Sequence, residues 1–195
     1  MEEAGVQIRL ARPDDVEQIR HTIRITLANP EGRAQRKRYE DAVQRQEMLV
    51  LTRYESRERM PRVFGFIEWH TRVDGTVTIR DAGTVGDVPH VGTLKRLVRE
   101  MLRMLAPPSA TVKIRADQPV WNSIFEETPG FRPEGKEYSR PYWRQIWTWT
   151  AEAERAATRP ARPSGTRPPG GGRPAGPRPP RGARPPVGVQ PRPRR

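Results

Sequence analysis

Side chains able to do covalent or metal chemistry are few in this 195-residue chain, and they are poorly spaced for most of it. There is no Cys, which removes thiol nucleophiles, thiolate metal sites and a disulfide framework. His21, His70 and His90 do not stand at metal-ligand spacing, so each reads as a packing or solvent residue. No Gly-x-Ser-x-Gly turn, Walker loop or strand-linked Gly-x-Gly-x-x-Gly is present, and Gly170-Gly171-Gly172 lies inside low complexity. Trp143, Trp147 and Trp149 offer faces for base stacking, but tryptophans alternating along a strand read first as core or subunit interface. Lys95, Arg96 and Arg99 are placed to meet phosphates, although a charged run on an amphipathic helix is ordinarily its solvated face.

The strongest charge signal lies at the end of the chain. Residues 155–195 hold 11 of the 36 basic residues, all Arg, with 12 Pro, 7 Gly and no acid. The first 154 residues then carry 25 basic groups against 23 acidic ones, a net of +2, so +11 of the net charge of +13 belongs to the tail. Such a composition buries too little apolar surface to offset chain entropy, and the tail is expected to be disordered with polyproline II character. It would attract polyanions, DNA or RNA, without regard to sequence. The alternative is a solvated linker shaped by GC-rich codons, since Arg outnumbers Lys 32 to 4.

About 150 residues suffice for one ordinary domain and not for two. The expected organisation is therefore a folded domain over 1–154 and a basic tail over 155–195. No apolar run approaches the roughly 18 residues of a membrane span, and the acidic start Met1-Glu2-Glu3 is unlike a secretory leader. A soluble, cytoplasmic protein without membrane contact is expected.

Val6, Ile8 and Leu10 alternate as in a strand, and Pro13-Asp14-Asp15-Val16-Glu17 predicts a helix capped by Asp14 with Glu17 closing the box. Val16, Ile19, Ile23 and Leu27 carry that helix until Asn29-Pro30 stops it. A surface helix is expected over 33–47. Three antiparallel strands follow, over 48–54, 62–70 and 76–80, with Asp74-Gly75 predicting a type I′ hairpin. Leu94, Leu97, Val98, Met101, Leu102 and Leu105 form one clean helical stripe that Pro107-Pro108 ends. A strand at 111–115, a short helix at 120–127 ending near Gly130, and strands over 131–138 and 143–150 complete the pattern. The fold class is α+β.

This order resembles the GNAT superfamily of acyl-CoA-dependent N-acyltransferases over about residues 6–150. Three local matches carry the resemblance: Ile8-Arg9-Leu10-Ala11-Arg12-Pro13-Asp14-Asp15 at the first strand and turn, Val88-Pro89 to Gly92-Thr93-Leu94 leading into the central helix, and Asn122 to Gly130-Phe131-Arg132. The resemblance implies a mixed β-sheet flanked by helices. It also implies transfer of an acetyl or other acyl group from acetyl-CoA or another acyl-CoA to an amine acceptor. A carboxylate or bound water would take the amine proton, and a backbone N–H on the splayed fourth strand would hold the oxyanion.

Carried over residue by residue, the resemblance places the CoA pyrophosphate at Val91, Gly92 and Thr93, with Asn122 a further cofactor contact. Glu68 and Asp81 stand where the family places carboxylates and are the candidate bases. Two departures are plain in the sequence. The family's Arg/Gln-x-x-Gly-x-Gly/Ala loop is shortened to His90-Val91-Gly92-Thr93, and Phe125 occupies the neighbourhood of the Tyr that often protonates the leaving thiolate. Tyr138 is taken as the substitute acid, with Tyr142 the other choice. These departures keep a second function open: a GNAT-like module that has lost catalysis and serves in binding or structure, associated with nucleic acid or a virion through its basic tail.

Overall fold

The computed structural model describes residues 5–32, 39–54 and 61–158, and all structural statements concern these. They lie within one compact unit, Met1–Pro160. The tail expected to be disordered falls outside the described residues from 159 onward.

β1 (Val6–Leu10), β2 (Met48–Arg53), β3 (Arg62–Thr71) and β4 (Val77–Thr84) form an antiparallel run. β5 (Ser109–Arg115), β6 (Phe131–Ser139) and β7 (Tyr142–Thr150) complete a seven-stranded sheet in the order β1-β2-β3-β4-β5-β7-β6. One pair, β4 with β5, is parallel, as a crossover through a helix requires. That crossover is α3 (Val91–Leu105), whose predicted stripe is buried at Leu94, Leu97, Val98, Met101 and Leu102.

Alternation along β2 divides the core. Leu49 and Leu51 pack with α3 and α4 (Pro119–Glu126), whereas Met48 and Val50 pack on the other face with α1 (Pro13–Thr22) and α2 (Glu40–Gln44). Trp147 and Trp149 are buried on the α3/α4 face, and Trp143, four residues before Trp147, is 56% exposed. Gly130 (φ +92°) supplies the left-handed end expected after α4.

Five local expectations are corrected. The first helix, expected to run through Ile23 and Leu27 to Asn29-Pro30, ends at Thr22, where Ile23 turns extended (φ -110°, ψ 105°) and leads the chain across to β4. α1 is capped at Arg12 and not at Asp14: the Arg12 N–H donates to the Asp15 carboxylate at 2.7 Å, so Asp15 takes the role read for Glu17. The Arg9 guanidinium also grips Asp15 through two bonds of 2.6 and 2.8 Å, tying α1 to β1. The helix expected over 33–47 is found at Glu40–Gln44, and residues 33–38 lie outside the described set. The β3–β4 turn is not type I′, because Gly75 (φ +78°) is its one left-handed residue, and Arg72 N–H donates to Thr76 O at 2.8 Å to close a three-residue loop. Finally, α5 (Ala151–Thr158) carries helix four residues past the boundary expected at 154, with Ala153 buried and its N–H capped by the Thr150 hydroxyl at 3.2 Å.

No helix among the described residues is long and apolar enough to cross a membrane.

Candidate active-site cleft between the splayed strands

β4 and β5 pair at only three positions, Val77↔Ala110, Thr78↔Thr111 and Ile79↔Val112. Both strands continue, β4 to Thr84 and β5 to Arg115, without further pairing, so the sheet opens into a cleft at their C-terminal ends. A register shift in the β3–β4 ladder beside Glu68 marks where the two strands begin to part. α3 begins at the same end. The His90 N–H donates to the Thr84 hydroxyl at 2.9 Å, and a Cβ on Gly65 would lie 3.1 Å from Thr93 Cγ2, so the helix start is docked on β3 and β4.

The first turn of α3 caps itself. His90 Nδ1 accepts from the Thr93 N–H at 3.2 Å and lies 2.9 Å from the Thr93 hydroxyl, placing an imidazole over the helix N-terminus. Of the three residues read as a pyrophosphate cradle, Thr93 thus spends its N–H within its own chain. Val91 and Gly92 stand at the exposed start, and a Cβ on Gly92 would meet nothing closer than His90 Cε1 at 3.6 Å. Lys95 is drawn away to an ion pair with Glu127 beyond α4.

Glu68 and Asp81 are brought together. They oppose each other across β3 and β4, point to the α1/α2 face, and are 3% and 1% exposed. Asp81 Oδ1 accepts from the Ala82 N–H at 3.0 Å and from the Ala28 N–H at 2.8 Å, while Oδ2 accepts from the Tyr39 hydroxyl at 3.0 Å. Burial, then the charge and hydrogen bond of Asp81, then the charge of Glu68 push the Tyr39 hydroxyl far above the ordinary tyrosine range, so Tyr39 keeps its proton and acts as a donor.

The cleft edge of β4 is occupied by the chain itself. Thr26 and Asn29 exchange backbone hydrogen bonds of 3.2 and 3.0 Å, forming a tight turn. The two N–H groups at its tip point at β4: Leu27 donates to Ala82 O at 2.8 Å, and Ala28 donates to Asp81. Thr26 bridges Gly83 in antiparallel fashion. A Cβ on Gly83 would come within 2.7 Å of Ile23 Cγ2 and 3.2 Å of Thr26 Cγ2, so glycine is what allows this approach. Ile25 and Leu27 reach the main hydrophobic cluster. Beyond the turn, Glu31 accepts from Arg115 of β5 at 2.7 Å and from the Tyr142 hydroxyl at 3.3 Å, while the Tyr142 ring lies 3.5 Å from the Arg115 guanidinium. This strap, Ile23 to Glu31, spans the cleft from β4 to β5.

The other predicted residues fall apart from these. Tyr138 is 54% exposed on β6, its ring tilted against Trp143 at 5.2 Å past the end of β5. Tyr142, the other choice, is the tyrosine that reaches the strap. Phe125 is fully buried against Phe131. Asn122 is a clamp, its Nδ2 donating to Arg115 O (3.0 Å) and Gln118 O (2.8 Å) and its Oδ1 accepting from Trp147 Nε1 (2.9 Å). It also lines a shallow groove between α4 and the β6–β7 hairpin with Lys136, Gln145 and Trp147. His70 packs against Glu47, and His21 lies on the surface beside Glu17. Sequence reasoning missed Tyr39, Arg115 and the whole strap, whose first residues, Ile23 to Leu27, it read as the last turns of a helix stopped by Asn29-Pro30.

Tested against an acyl-CoA, the start of α3 at Val91 and Gly92 is open to a phosphate, but the edge of β4 is already taken. The strap holds the β4 edge beyond the splay, where an extended amide chain would otherwise add as a strand. The Ala82 N–H points into the cleft yet faces a carboxylate oxygen, where an oxyanion would be repelled. One helix-start donor, the Thr93 N–H, is taken by His90.

No family model and no curated protein matches the sequence. Solved structures do match. An acetyltransferase of the GNAT family from Bacillus cereus is similar with a TM-score of 0.59 at 14% identity, over 75% of this chain and 97% of that one. A Bacillus anthracis protein described as a streptothricin acetyltransferase, in complex with acetyl coenzyme A, gives 0.57 at 11% over 75% and 98%. A spermidine N-acetyltransferase variant from Vibrio cholerae gives 0.54 at 10% over 74% and 94%. The likeness covers nearly the whole of each acetyltransferase chain, and this protein has the GNAT N-acyltransferase fold.

Proposed function

We propose that this protein is an acyl-CoA-dependent N-acyltransferase. The observation that carries the reading is the parting of β4 from β5 after Ile79 and Val112, with the start of α3 at the mouth of the cleft. The structural neighbour holding acetyl coenzyme A supports the same class of donor. Glu68, buried opposite Asp81 where β4 begins to leave β5, is proposed as the group that takes the amine proton, directly or through water. Asp81 is proposed to organise Tyr39 and the strap, since both its oxygens accept hydrogen bonds from protein groups. Tyr138 or Tyr142 is proposed as the acid, and the reach of Tyr142 to Glu31 of the strap favours the second. Val91 and Gly92 are proposed as phosphate contacts, with Asn122 holding the α4 wall of the cleft.

The test is a titration of acetyl-CoA against the full chain, followed by transfer to a panel of amines. Saturable binding that Gly92→Val weakens by about 1 to 3 kcal/mol, with melting unchanged, is expected. No saturable binding at millimolar acetyl-CoA, by wild type or by any variant that opens the cleft, would remove the reading.

A second reading has its own support: the imidazole over α3 and the carboxylate on the Ala82 N–H suit a module that has lost catalysis. In it, residues 155–195 engage nucleic acid, and affinity falls steeply with salt because phosphate neutralisation releases counterions. Deleting 159–195 should remove most of that salt dependence, and equal affinity without the tail would return its composition to codon bias. A cytoplasmic location is proposed under either reading.

A further inference from the structure

We propose that the strap Ile23 to Glu31 is an autoinhibitory element: it occupies in cis the β4 edge that an acyl-CoA arm requires, and binding of the donor displaces it. The inference rests on the acyltransferase reading. It begins from the geometry of an opened sheet. Where β4 leaves β5, the C=O and N–H of Ala82 turn into the cleft, and a strand edge of this kind binds any extended amide chain that can reach it. The pantetheine arm of a CoA is such a chain. Here the edge is taken instead by the Leu27 N–H on Ala82 O at 2.8 Å and by the antiparallel bridge of Thr26 with Gly83.

Three features distinguish this from a loop lying where it falls. Gly83 is the residue at which a side chain would exclude the strap, since its Cβ would meet Ile23 at 2.7 Å. Asp81 is turned toward the strap, receiving the Ala28 N–H at 2.8 Å, so a carboxylate near the cleft holds the element closed. The distal end is fastened separately, by Glu31 on Arg115 at 2.7 Å and on the Tyr142 hydroxyl at 3.3 Å. That fastening joins the strap to β5 and β7, the opposite wall.

The element also carries means of release. Its grip on β4 is two N–H bonds, each of modest net worth, and its outer fastening is an exposed ion pair that salt screens. Ile25 and Leu27 supply the apolar contact that keeps it seated, being only partly buried. A ligand that replaces the Leu27 bond and fills the same gap competes directly with it.

The experiment uses the full chain. Amide exchange is measured at Leu27 and Ala28 with and without acetyl-CoA, and acetyl-CoA affinity is measured for wild type, Glu31→Ala and Leu27→Pro. In the free protein both amides should exchange at least about tenfold slower than Val73 at the exposed β3–β4 turn. Acetyl-CoA should speed their exchange, and each variant should bind it about threefold to tenfold more tightly. Rapid exchange of Leu27 and Ala28 in the free protein overturns the strap and leaves the acyltransferase reading standing. Acetyl-CoA binding to wild type with both amides still protected does the same. Absence of binding in wild type and in Glu31→Ala, whose substitution is on the surface and leaves the core intact, overturns both the strap and the function it regulates.

Discussion

The two faces of the sheet are built on different terms. Toward α3 and α4, 21 buried apolar residues form one cluster that runs from Leu49 on β2 to Trp149 on β7. Toward α1 and α2 the buried cluster has ten, and three buried carboxylates, Asp15, Glu68 and Asp81, stand beside it. A buried carboxylate is tolerated only where donors surround it, so the second face is organised by hydrogen bonds as much as by packing. The difference is one of means: the first face holds together by packing, and the second adds buried polar contacts at Asp15 and at Asp81.

The largest test of this division is in the apolar face. Leu97, fully buried on α3, should cost about 3 kcal/mol when cut to Ala, read as a drop in the thermal or denaturant midpoint. A loss under about 1 kcal/mol would mean the α3 face is not the main source of stability. On the polar face, Gly83→Ala should cost about 2 kcal/mol from overpacking against Ile23 and Phe66, and should also speed amide exchange at Leu27. The same destabilisation without faster exchange would show that the strap yields nothing and the sheet bends instead.

Tyr39→Phe removes the hydroxyl that donates to Asp81 and should cost about 1 kcal/mol in chemical denaturation. No change at all would show that the polar face gains nothing from this bond. The smallest effect concerns Glu47, a fourth buried carboxylate at the turn before β2. Burial works against its charge, but the Thr71 N–H at 2.7 Å, the Arg45 guanidinium and His70 outweigh it and hold the carboxyl below its ordinary value of 4.5. A depressed folded value means the contribution is complete above pH 4.5 and is lost as pH falls through the folded value. Glu47→Gln should therefore flatten the acid limb of the stability profile and leave the alkaline limb as it is; an unchanged acid limb would remove Glu47 as a source of it.

Much of the architecture was legible because it is local. The α3 stripe from Leu94 to Leu105 repeats at 3.6 residues, the strands from Met48 to Arg80 alternate, and Pro107-Pro108 and Gly130 punctuate the chain as their backbone preferences require. α5 was legible too in principle, since Thr150 before an Ala- and Glu-rich octet is a capping signal, but the Pro- and Arg-rich composition immediately after it masked the helix. The α1 cap shows a finer limit. Asp14 and Asp15 are adjacent and chemically alike, and only the position of Arg9 on β1 decides that Asp15 turns inward.

What the sequence by itself determined was the order of elements, the apolar face of each and the concentration of charge after residue 154, all of which depend on neighbours within a few turns of chain. Tertiary structure alone decided the state of the cleft. Glu68 meets Asp81 through strand register, Tyr39 reaches Asp81 across 42 residues, and Glu31 reaches Arg115 across 84. No periodicity encodes contacts at such separations. The strap lies on β4 because a splayed strand leaves backbone groups without a neighbouring strand, and buried backbone groups bind the nearest chain that can satisfy them.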